Sequence, residues 1–211
     1  MSAPDALLLI STSCPHCPTA LLALSDLVKQ GLIGRLEVVN LEVHPEIAQA
    51  WEVRSVPWQK IGVIELAGLR GKAELAEWAQ KSGTEAGMAD YFHLLLKEGQ
   101  MARVLDLLRV DPTQLAAVLP IIGNVEASLN VRLGAGVLLE TFAQSDALRA
   151  LLPRLGELSG SADARVRADA SHYLGMTGSA TARAYLETRL HDDDADVREI
   201  AAESLAALPS E

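Results

Sequence analysis

Cys14 and Cys17 are the two cysteines of this 211-residue chain, and they lie between a short apolar run and a predicted helix. The run at residues 7–10 predicts a buried strand, and apolar residues at helical spacing predict a helix over residues 18–29. A strand that leads through C-x-x-C into a helix places the first sulfur at the helix N-terminus, where free backbone N–H groups and the helix dipole favour a thiolate. The second sulfur lies one helical turn further on, within disulfide distance. The arrangement therefore predicts a reversible dithiol.

Composition limits the partners of this chain. Hydrophobic residues make up 49% of it, which is enough for one or two domains with buried cores. The formal net charge is −10 and no block of Lys and Arg is present, so we expect neither nucleic acid nor an anionic membrane as a partner. The apolar runs are far shorter than the roughly 18 residues that a membrane-spanning helix needs.

The N-terminal residues predict a cytoplasmic location. Residues 1–5 lack the basic residues of a secretion signal, and the apolar stretch at residues 6–10 is too short for one. In the cytoplasm, a lone cysteine pair is more typical of catalysis, redox sensing or metal binding than of a structural disulfide. The alternatives to a redox dithiol are half of a shared metal site and two buried thiols. A metal site normally needs four ligands and the chain has no second cysteine pair, so we predict a redox dithiol and no metal site.

Residues 1–83 alternate between strand-like and helix-like patterns. After the cysteine helix we predict strands over residues 35–42, 58–61 and 63–66, and helices over residues 45–51 and 72–81. The resulting order, βαβαββα, predicts a small α/β domain. The predicted apolar face of the cysteine helix consists of Leu21, Leu22, Leu24, Leu27 and Val28, and that of the last helix of Leu75, Trp78 and Ala79.

This domain resembles the thioredoxin-like family in two motifs. The dithiol motif is Cys14-Pro15-His16-Cys17-Pro18, and the loop that faces the dithiol in that fold corresponds to Ser55-Val56-Pro57. The C-P-x-C-P form is more similar to glutaredoxins, archaeal protein disulfide oxidoreductases and the thioredoxin domains of peroxide reductases than to thioredoxin itself. Thioredoxins carry a Trp directly before the first cysteine and a buried acid six residues before it. Here those positions are Ser13 and Leu8, which leaves the proton acceptor for Cys17 unassigned.

The resemblance implies roles for individual residues. Cys14 is expected to be the nucleophile and Cys17 the resolving thiol, with Pro57 as a cis-proline beside them. The backbone at Val56 is expected to hydrogen-bond an extended segment of the substrate. Pro15 is also expected at the substrate-binding surface.

Three residues near the dithiol have alternative interpretations. His16 either favours the Cys14 thiolate, since it lies beside the sulfur, or is an ordinary exposed loop residue. Trp58 stands where the family usually has Thr, and it either forms the floor of a substrate groove or belongs to the core. Pro57 itself is either the cis-proline or a proline at a strand edge.

The second half of the chain has a different pattern. Residues 82–87 predict a linker, and strand signals are absent from residues 88–211. Three segments there begin with a Val-Arg pair, at residues 131–132, 166–167 and 197–198, and each continues with Ala, a small residue and Leu at matching offsets. Repetition of one helix face at intervals of 35 and 31 residues predicts an all-α solenoid over residues 88–211. The segments resemble short HEAT repeats of the phycobilisome-lyase type, with a degenerate first repeat near residues 88–119.

Two aspartates precede the later repeat helices. Asp163 and Asp194 lie four residues before Arg167 and Arg198, so we predict that each carboxylate caps its helix and pairs with the following arginine. The acidic run at residues 191–194 superficially resembles a metal-binding loop. Carboxylates are favourable at a helix N-terminus without any metal, and we predict that role for them.

Together these features predict a thioredoxin-like α/β domain followed by a HEAT-like solenoid, acting as a thiol–disulfide oxidoreductase. The expected substrate is a protein disulfide, the favoured direction is reduction, and the electrons come from a reductase or glutathione, with no bound cofactor. The solenoid is expected to select the protein partner. Two alternatives stay open: an adaptor in which the dithiol is a redox switch, and a chaperone that holds a soft metal between the two thiolates.

Overall fold

The computed structural model describes residues 3–209. The chain divides into two compact units, Met1–Met88 and Ala89–Glu211. The first combines a small mixed sheet with helices, and the second is helical. None of the helices formed by residues 3–209 is long and apolar enough to cross a membrane.

The first unit contains a four-stranded sheet in the order β2-β1-β3-β4. Strand β1 is parallel to β2 and antiparallel to β3, and β3 forms an antiparallel pair with β4. Gly62 makes the tight β3–β4 turn with a positive φ of 59°, a conformation that favours glycine. The predicted order βαβαββα is confirmed by the following elements: β1 Ala6–Ile10, α1 Cys17–Lys29, β2 Leu36–Asn40, α2 Pro45–Ala50, β3 Trp58–Ile61, β4 Ile64–Ala67 and α3 Lys72–Lys81.

Both faces of the sheet are covered, as the neighbouring residues Leu8 and Leu9 show. Both are fully buried, although alternation along a strand points them to opposite faces. Leu9 packs with Val39 and Trp58 in a cluster that Ile47 of α2 helps to enclose. Leu8 lies on the other face, which is left for α1 and α3, two helices that contact each other.

One residue of the predicted apolar face of α1 is exposed. Leu24 and Leu27 are fully buried, whereas Leu22 is 66% exposed. Residues two apart on a helix lie about 200° apart around its axis. Leu22 is therefore on the opposite side of α1 from both Ala20 and Leu24, and its inclusion in the buried face was wrong.

The predicted linker is shorter than expected. Helix α4 (Glu85–Lys97) begins within residues 82–87, so only residues 82–84 separate α3 from α4. The hydroxyl of Thr84 accepts a 3.0 Å hydrogen bond from the Gly87 N–H and thereby holds the first turn of α4. Gly87 is buried against the carbonyl of Lys81, where a Cβ atom has no room. This close approach explains a glycine inside a helix.

The rest of the second unit consists of eight further α-helices among the described residues. These are α5 Met101–Val110, α6 Leu119–Ile122, α7 Leu129–Thr141, α8 Asp146–Ala150, α9 Leu152–Leu158, α10 Ala164–Met176, α11 Arg183–Arg189 and α12 Ala195–Ala207, with short 3₁₀ segments at Pro112–Val118 and Ala180–Ala182. The three Val-Arg segments form α7, α10 and α12, each 13 residues long. Because α10 packs against both α9 and α12, the repeats stack in sequence order.

The predicted caps of the repeat helices are confirmed, but the predicted ion pairs are not. The carboxylate of Asp163 accepts hydrogen bonds from the N–H groups of Arg165 and Val166, and Asp194 caps α12 in the same way. Arg167 instead forms a bidentate pair with Asp192, at 2.7 and 2.8 Å, and thereby connects α10 to the next repeat. The prediction that Arg167 pairs with Asp163 was wrong because packing of the repeats brings the Asp192 carboxylate within reach of the guanidinium.

Candidate functional site

The dithiol lies where β1 leads into α1. Strand β1 ends at Ile10, His16 is the N-cap of α1, and the helix begins at Cys17 itself, one residue earlier than predicted. Cys14 and Cys17 form a disulfide with their Cα atoms 5.5 Å apart, an ordinary separation for bridged cysteines. The prediction that Cys14 lies at the helix N-terminus, within disulfide distance of Cys17, is confirmed. Cys17 is the first residue of α1 and does not lie one turn into the helix, as predicted.

A hydrogen bond links the Cys14 sulfur to the helix. The backbone N–H of Cys17 donates to Cys14 Sγ over 3.1 Å. This N–H belongs to the first turn of α1, where no carbonyl of the same helix is available to accept it. The same donor can stabilise negative charge on Cys14 once the disulfide is reduced, because hydrogen bonds to an ionised acceptor are stronger than those to a neutral one.

The two sulfurs differ in accessibility. Cys17 is 3% exposed, whereas Cys14 is only half-buried. A group that approaches from solvent therefore meets Cys14 before Cys17. This difference in exposure agrees with the predicted roles of Cys14 as the nucleophile and Cys17 as the resolving thiol.

His16 and Pro15 occupy the exposed side of the dithiol loop. The His16 side chain makes no capping hydrogen bond to α1, so the helix does not need the imidazole for its own stability. Its position next to Cys17 in the loop leaves both interpretations of His16 open. The structure thus places His16 at the site and leaves its effect on the thiolate as a prediction.

The Val56–Pro57 loop lies at the same edge of the sheet as the dithiol. Leu9 pairs with Trp58 across the antiparallel β1–β3 ladder, so the end of β1 and the start of β3 meet there. The Val56–Pro57 peptide bond is cis, as predicted. The carbonyl of Pro57 accepts a 2.9 Å hydrogen bond from the Gly68 N–H, which ties this loop to the end of β4.

Trp58 belongs to the core of the first unit. It is 6% exposed and packs with Leu9 and Val39. Its ring centroid lies 5.7 Å from that of Trp51, which is 37% exposed and was predicted only as a helix end. Of the two alternatives for Trp58, core packing is the one that the structure shows.

Gln59 is a buried polar residue near the site that the sequence analysis missed. It is fully buried, and its Nε2 donates a 2.8 Å hydrogen bond to the Gly68 carbonyl. Its Oε1 has no hydrogen-bond partner among residues 3–209. Gln59 lies directly opposite Leu8 in the β1–β3 pair. The sequence did contain a signal for this residue, because Gln59 is a polar residue at a position of a short strand that points into the core.

A groove of about 390 Å³ runs between α1 and the segment before α3. Its apolar lining includes Leu22 and Leu69, both of which are exposed. An ion pair of 2.7 Å between Lys72 Nζ and Asp26 borders it, and this hydrogen bond from Lys72 lowers the pKa of Asp26. Leu22 is thus exposed in a surface groove beside α1, the helix that carries Cys17.

The acidic run of the second unit is used in internal ion pairs and caps. The Asp192 side chain is 4% exposed, and the hydrogen bonds from Arg167 lower its pKa to about 2. Arg189 approaches the same carboxylate at 3.1 Å, and Arg198 donates to the backbone carbonyls of Asp192 and Asp193. Within residues 3–209, no group of three or more His, Cys, Asp or Glu has the arrangement of a metal site.

A comparison with protein-family models matches one stretch of the chain, residues 102–206, to HEAT repeats. These residues are HEAT repeats. The match runs from the start of α5 to the end of α12, so it includes most of the helices of the second unit. HEAT repeats suggest a role in protein interaction. No curated protein matched the chain.

Proposed function

We propose that the chain is a thiol–disulfide oxidoreductase that acts on a protein partner held by its HEAT repeats. The observation that carries the proposal is the position of Cys14 Sγ, which accepts a hydrogen bond from the first turn of α1 at the sheet edge where Val56 and Pro57 lie. A more accessible sulfur with a helix N–H donor, next to a nearly inaccessible one, is the arrangement that thiol–disulfide exchange needs.

We also propose that the first unit is a thioredoxin-like domain. The β2-β1-β3-β4 order, with one parallel and two antiparallel pairs, supports this assignment. Further support comes from the dithiol after β1 and the cis peptide bond before Pro57, two features that the resemblance in the sequence implies. In such a domain the backbone of Val56 binds an extended substrate segment, and Pro15 lies at the same surface.

The proposed reaction begins with the reduced dithiol. The Cys14 thiolate attacks one sulfur of the partner disulfide, forms a mixed disulfide and releases the other partner sulfur as a thiolate, which takes up a proton. The Cys17 thiolate then attacks Cys14 Sγ and releases the second partner thiol. The partner gains two electrons and the Cys14–Cys17 disulfide forms. A reductase or glutathione returns two electrons to the protein.

His16 has a proposed electrostatic role in this cycle. A cationic or hydrogen-bonding imidazole beside Cys14 stabilises the thiolate and therefore the reduced state of the couple. The N-terminal dipole of α1 acts in the same direction. Together they would make the couple more oxidising than one without these neighbours.

The second candidate function is an adaptor whose disulfide is a redox switch. The match to HEAT repeats favours it, because such repeats bind proteins without any chemistry of their own. In this case the HEAT repeats are the active part, and the Cys14–Cys17 pair only responds to the redox state of its surroundings.

Catalysis of insulin reduction separates the two functions. The full chain, supplied with dithiothreitol, should accelerate the precipitation of insulin B chain, and the Cys14→Ser variant should not. Release of zinc or copper on acid treatment of the purified protein would test the soft-metal alternative in parallel. If the wild-type chain reduces insulin no faster than dithiothreitol alone, the oxidoreductase proposal fails and the adaptor is favoured.

A further inference from the structure

Helix α7 of the HEAT repeats has an apolar stripe on its exposed side. Leu129, Leu133 and Val137 are 66%, 60% and 40% exposed, and their spacing of four residues aligns them along one side of the helix. The opposite side of α7 supplies the core, since Ala135 and Leu138 are fully buried. A helix that only packs into its own repeat needs one apolar side, and α7 has two.

The same positions in the last repeat are acidic. When the Val-Arg pairs of α7 and α12 are aligned, Glu199 falls at the position of Leu133 and Glu203 at the position of Val137. Both glutamates are exposed, and neither carboxylate has a hydrogen-bond or ion-pair partner in the part of the chain that the structure describes. Their negative charge is therefore available to an external cation.

Helix α10 lies between the stripe and the glutamates. Arg132 of α7 binds Asp169 of α10 at 2.8 Å, and Gly175 of α10 packs against Ser204 of α12, where a Cβ atom has no room. The α10 residue equivalent to Val137 and Glu203 is His172, which is also exposed, whereas the residue equivalent to Leu133 and Glu199 is the small, buried Ala168. Equivalent positions of stacked repeats lie along one face of a solenoid, so this face changes from apolar at α7 to acidic at α12.

We propose that this face binds a basic amphipathic helix of a partner protein. We define the apolar–acidic face by Leu129, Leu133, Val137, Glu199 and Glu203. The apolar side of the partner helix covers the α7 stripe, and its Lys or Arg residues approach the two glutamates of α12. The inference rests on the proposed role of the HEAT repeats in holding a protein partner, and it adds the chemistry by which that partner is recognised.

The negative charge of the chain favours a basic helix, rather than a second copy of the chain, as the partner of this face. The net charge of the chain is −10, and residues 89–211 contain 18 acidic against 11 basic residues. Two copies that approach through the apolar–acidic face repel each other, whereas a basic segment gains from both the stripe and the glutamates. Exposed apolar residues grouped on one face, rather than scattered singly, are typical of interaction sites.

The test measures binding of a fluorescein-labelled Leu/Lys amphipathic peptide to the full chain by fluorescence anisotropy. Wild type should bind saturably, and an otherwise identical Leu/Glu peptide should bind at least tenfold more weakly because its charges are repelled. The double variant Leu133→Ser/Val137→Ser should lose about tenfold in affinity through lost apolar burial. The double variant Glu199→Gln/Glu203→Gln should lose about fivefold, and its affinity should depend less on salt than that of wild type.

Two variants elsewhere on the HEAT repeats serve as matched controls. Val110→Ser changes an apolar residue of α5 that is 87% exposed, and Glu187→Gln changes an exposed acid of α11. Both should bind the Leu/Lys peptide as wild type does. Circular dichroism should show that all four variants keep the helical content and Tm of wild type, since each replaced side chain is exposed.

The proposal would be overturned if the control variants lost as much affinity for the Leu/Lys peptide as the two double variants of the apolar–acidic face. It would also be overturned if Leu133→Ser/Val137→Ser bound the peptide as tightly as wild type. Self-association of wild type in light scattering, abolished by the same double variant, would assign the face to a second copy and also overturn it. Insulin reduction is measured separately on the same preparations. Loss of that activity with intact peptide binding would refute only the oxidoreductase proposal, and active protein without peptide binding would refute only the recognition surface.

Discussion

Leu8 and Gln59 lie directly opposite each other in the antiparallel β1–β3 pair, and both side chains are fully buried. An apolar side chain and a neutral amide are thus buried cross-strand neighbours. The amide keeps one hydrogen bond, to the Gly68 carbonyl, and its oxygen has no partner among the described residues. The side chain of Gln59 is therefore polar and buried, and because it is an amide, no charge is buried with it.

Replacing Gln59 by Glu should make stability depend on pH. Burial raises the pKa of a carboxyl in the folded state above its unfolded value. The variant should therefore resemble wild type below the unfolded pKa and lose stability as the pH rises towards the folded pKa, by about 2 kcal/mol or more at pH 7. Urea unfolding of both proteins between pH 4 and pH 7 measures the difference. Gln49→Glu, at an exposed position of α2, is the matched control and should show no such trend.

The two cysteines should fail in different ways when replaced. Cys14→Ser should abolish insulin reduction, since no other exposed thiol of the chain can attack a disulfide. Cys17→Ser should still attack but should accumulate mixed disulfides, because the resolving thiol is missing. Mass spectrometry after incubation with oxidised glutathione detects the adduct on Cys14. Similar residual turnover in both variants would contradict the assigned roles.

His16→Ala should make the couple more reducing. Loss of a neighbour that favours the thiolate destabilises the reduced form relative to the disulfide. We expect a change of about 30 mV, which is a tenfold change in the equilibrium constant of a two-electron couple. Equilibration with reduced and oxidised glutathione measures it. His44→Ala is a suitable control because His44 is exposed on another element, and an unchanged potential in His16→Ala would reject the role of His16.

Asp192→Asn should destabilise the HEAT repeats by about 3 kcal/mol, because it leaves Arg167, which is 14% exposed, without its bidentate carboxylate. The folded pKa of Asp192, about 2, lies below its unfolded value of 3.8. The contribution of the carboxylate is therefore complete above the unfolded pKa and is lost as the pH falls from about 4 towards 2. Urea unfolding should show the gap between wild type and variant narrowing over this range.

The neighbouring aspartate provides the control for this prediction. Asp193 is exposed, and Arg198 bonds its backbone carbonyl rather than its side chain. Asp193→Asn should therefore change the unfolding free energy by less than about 0.5 kcal/mol. A loss as large as that of Asp192→Asn would mean that general charge in this loop, and not the pair with Arg167, stabilises the repeats.

The amino-acid sequence by itself was sufficient for features that depend on neighbouring residues. Periodicity predicted β3 and α3 with the bounds that the structure has, and the Val-Arg spacing predicted α7, α10 and α12. The caps of α10 and α12 by Asp163 and Asp194 follow from side chains that bond N–H groups two and three residues away. The position of the dithiol at the start of α1 is likewise a local feature, because the strand, the two cysteines and the helix are consecutive in the chain.

Only the tertiary structure decided which distant residues meet. Register across β1 and β3 brings Gln59 opposite Leu8 and places Trp58 in the core with Leu9, and neither pairing is encoded in a local pattern. Stacking of the repeats gives Arg167 a partner 25 residues away, although a carboxylate four residues away had been predicted. Such contacts depend on how whole strands and helices pack, because a side chain binds the group that packing brings within reach, whatever its separation along the chain.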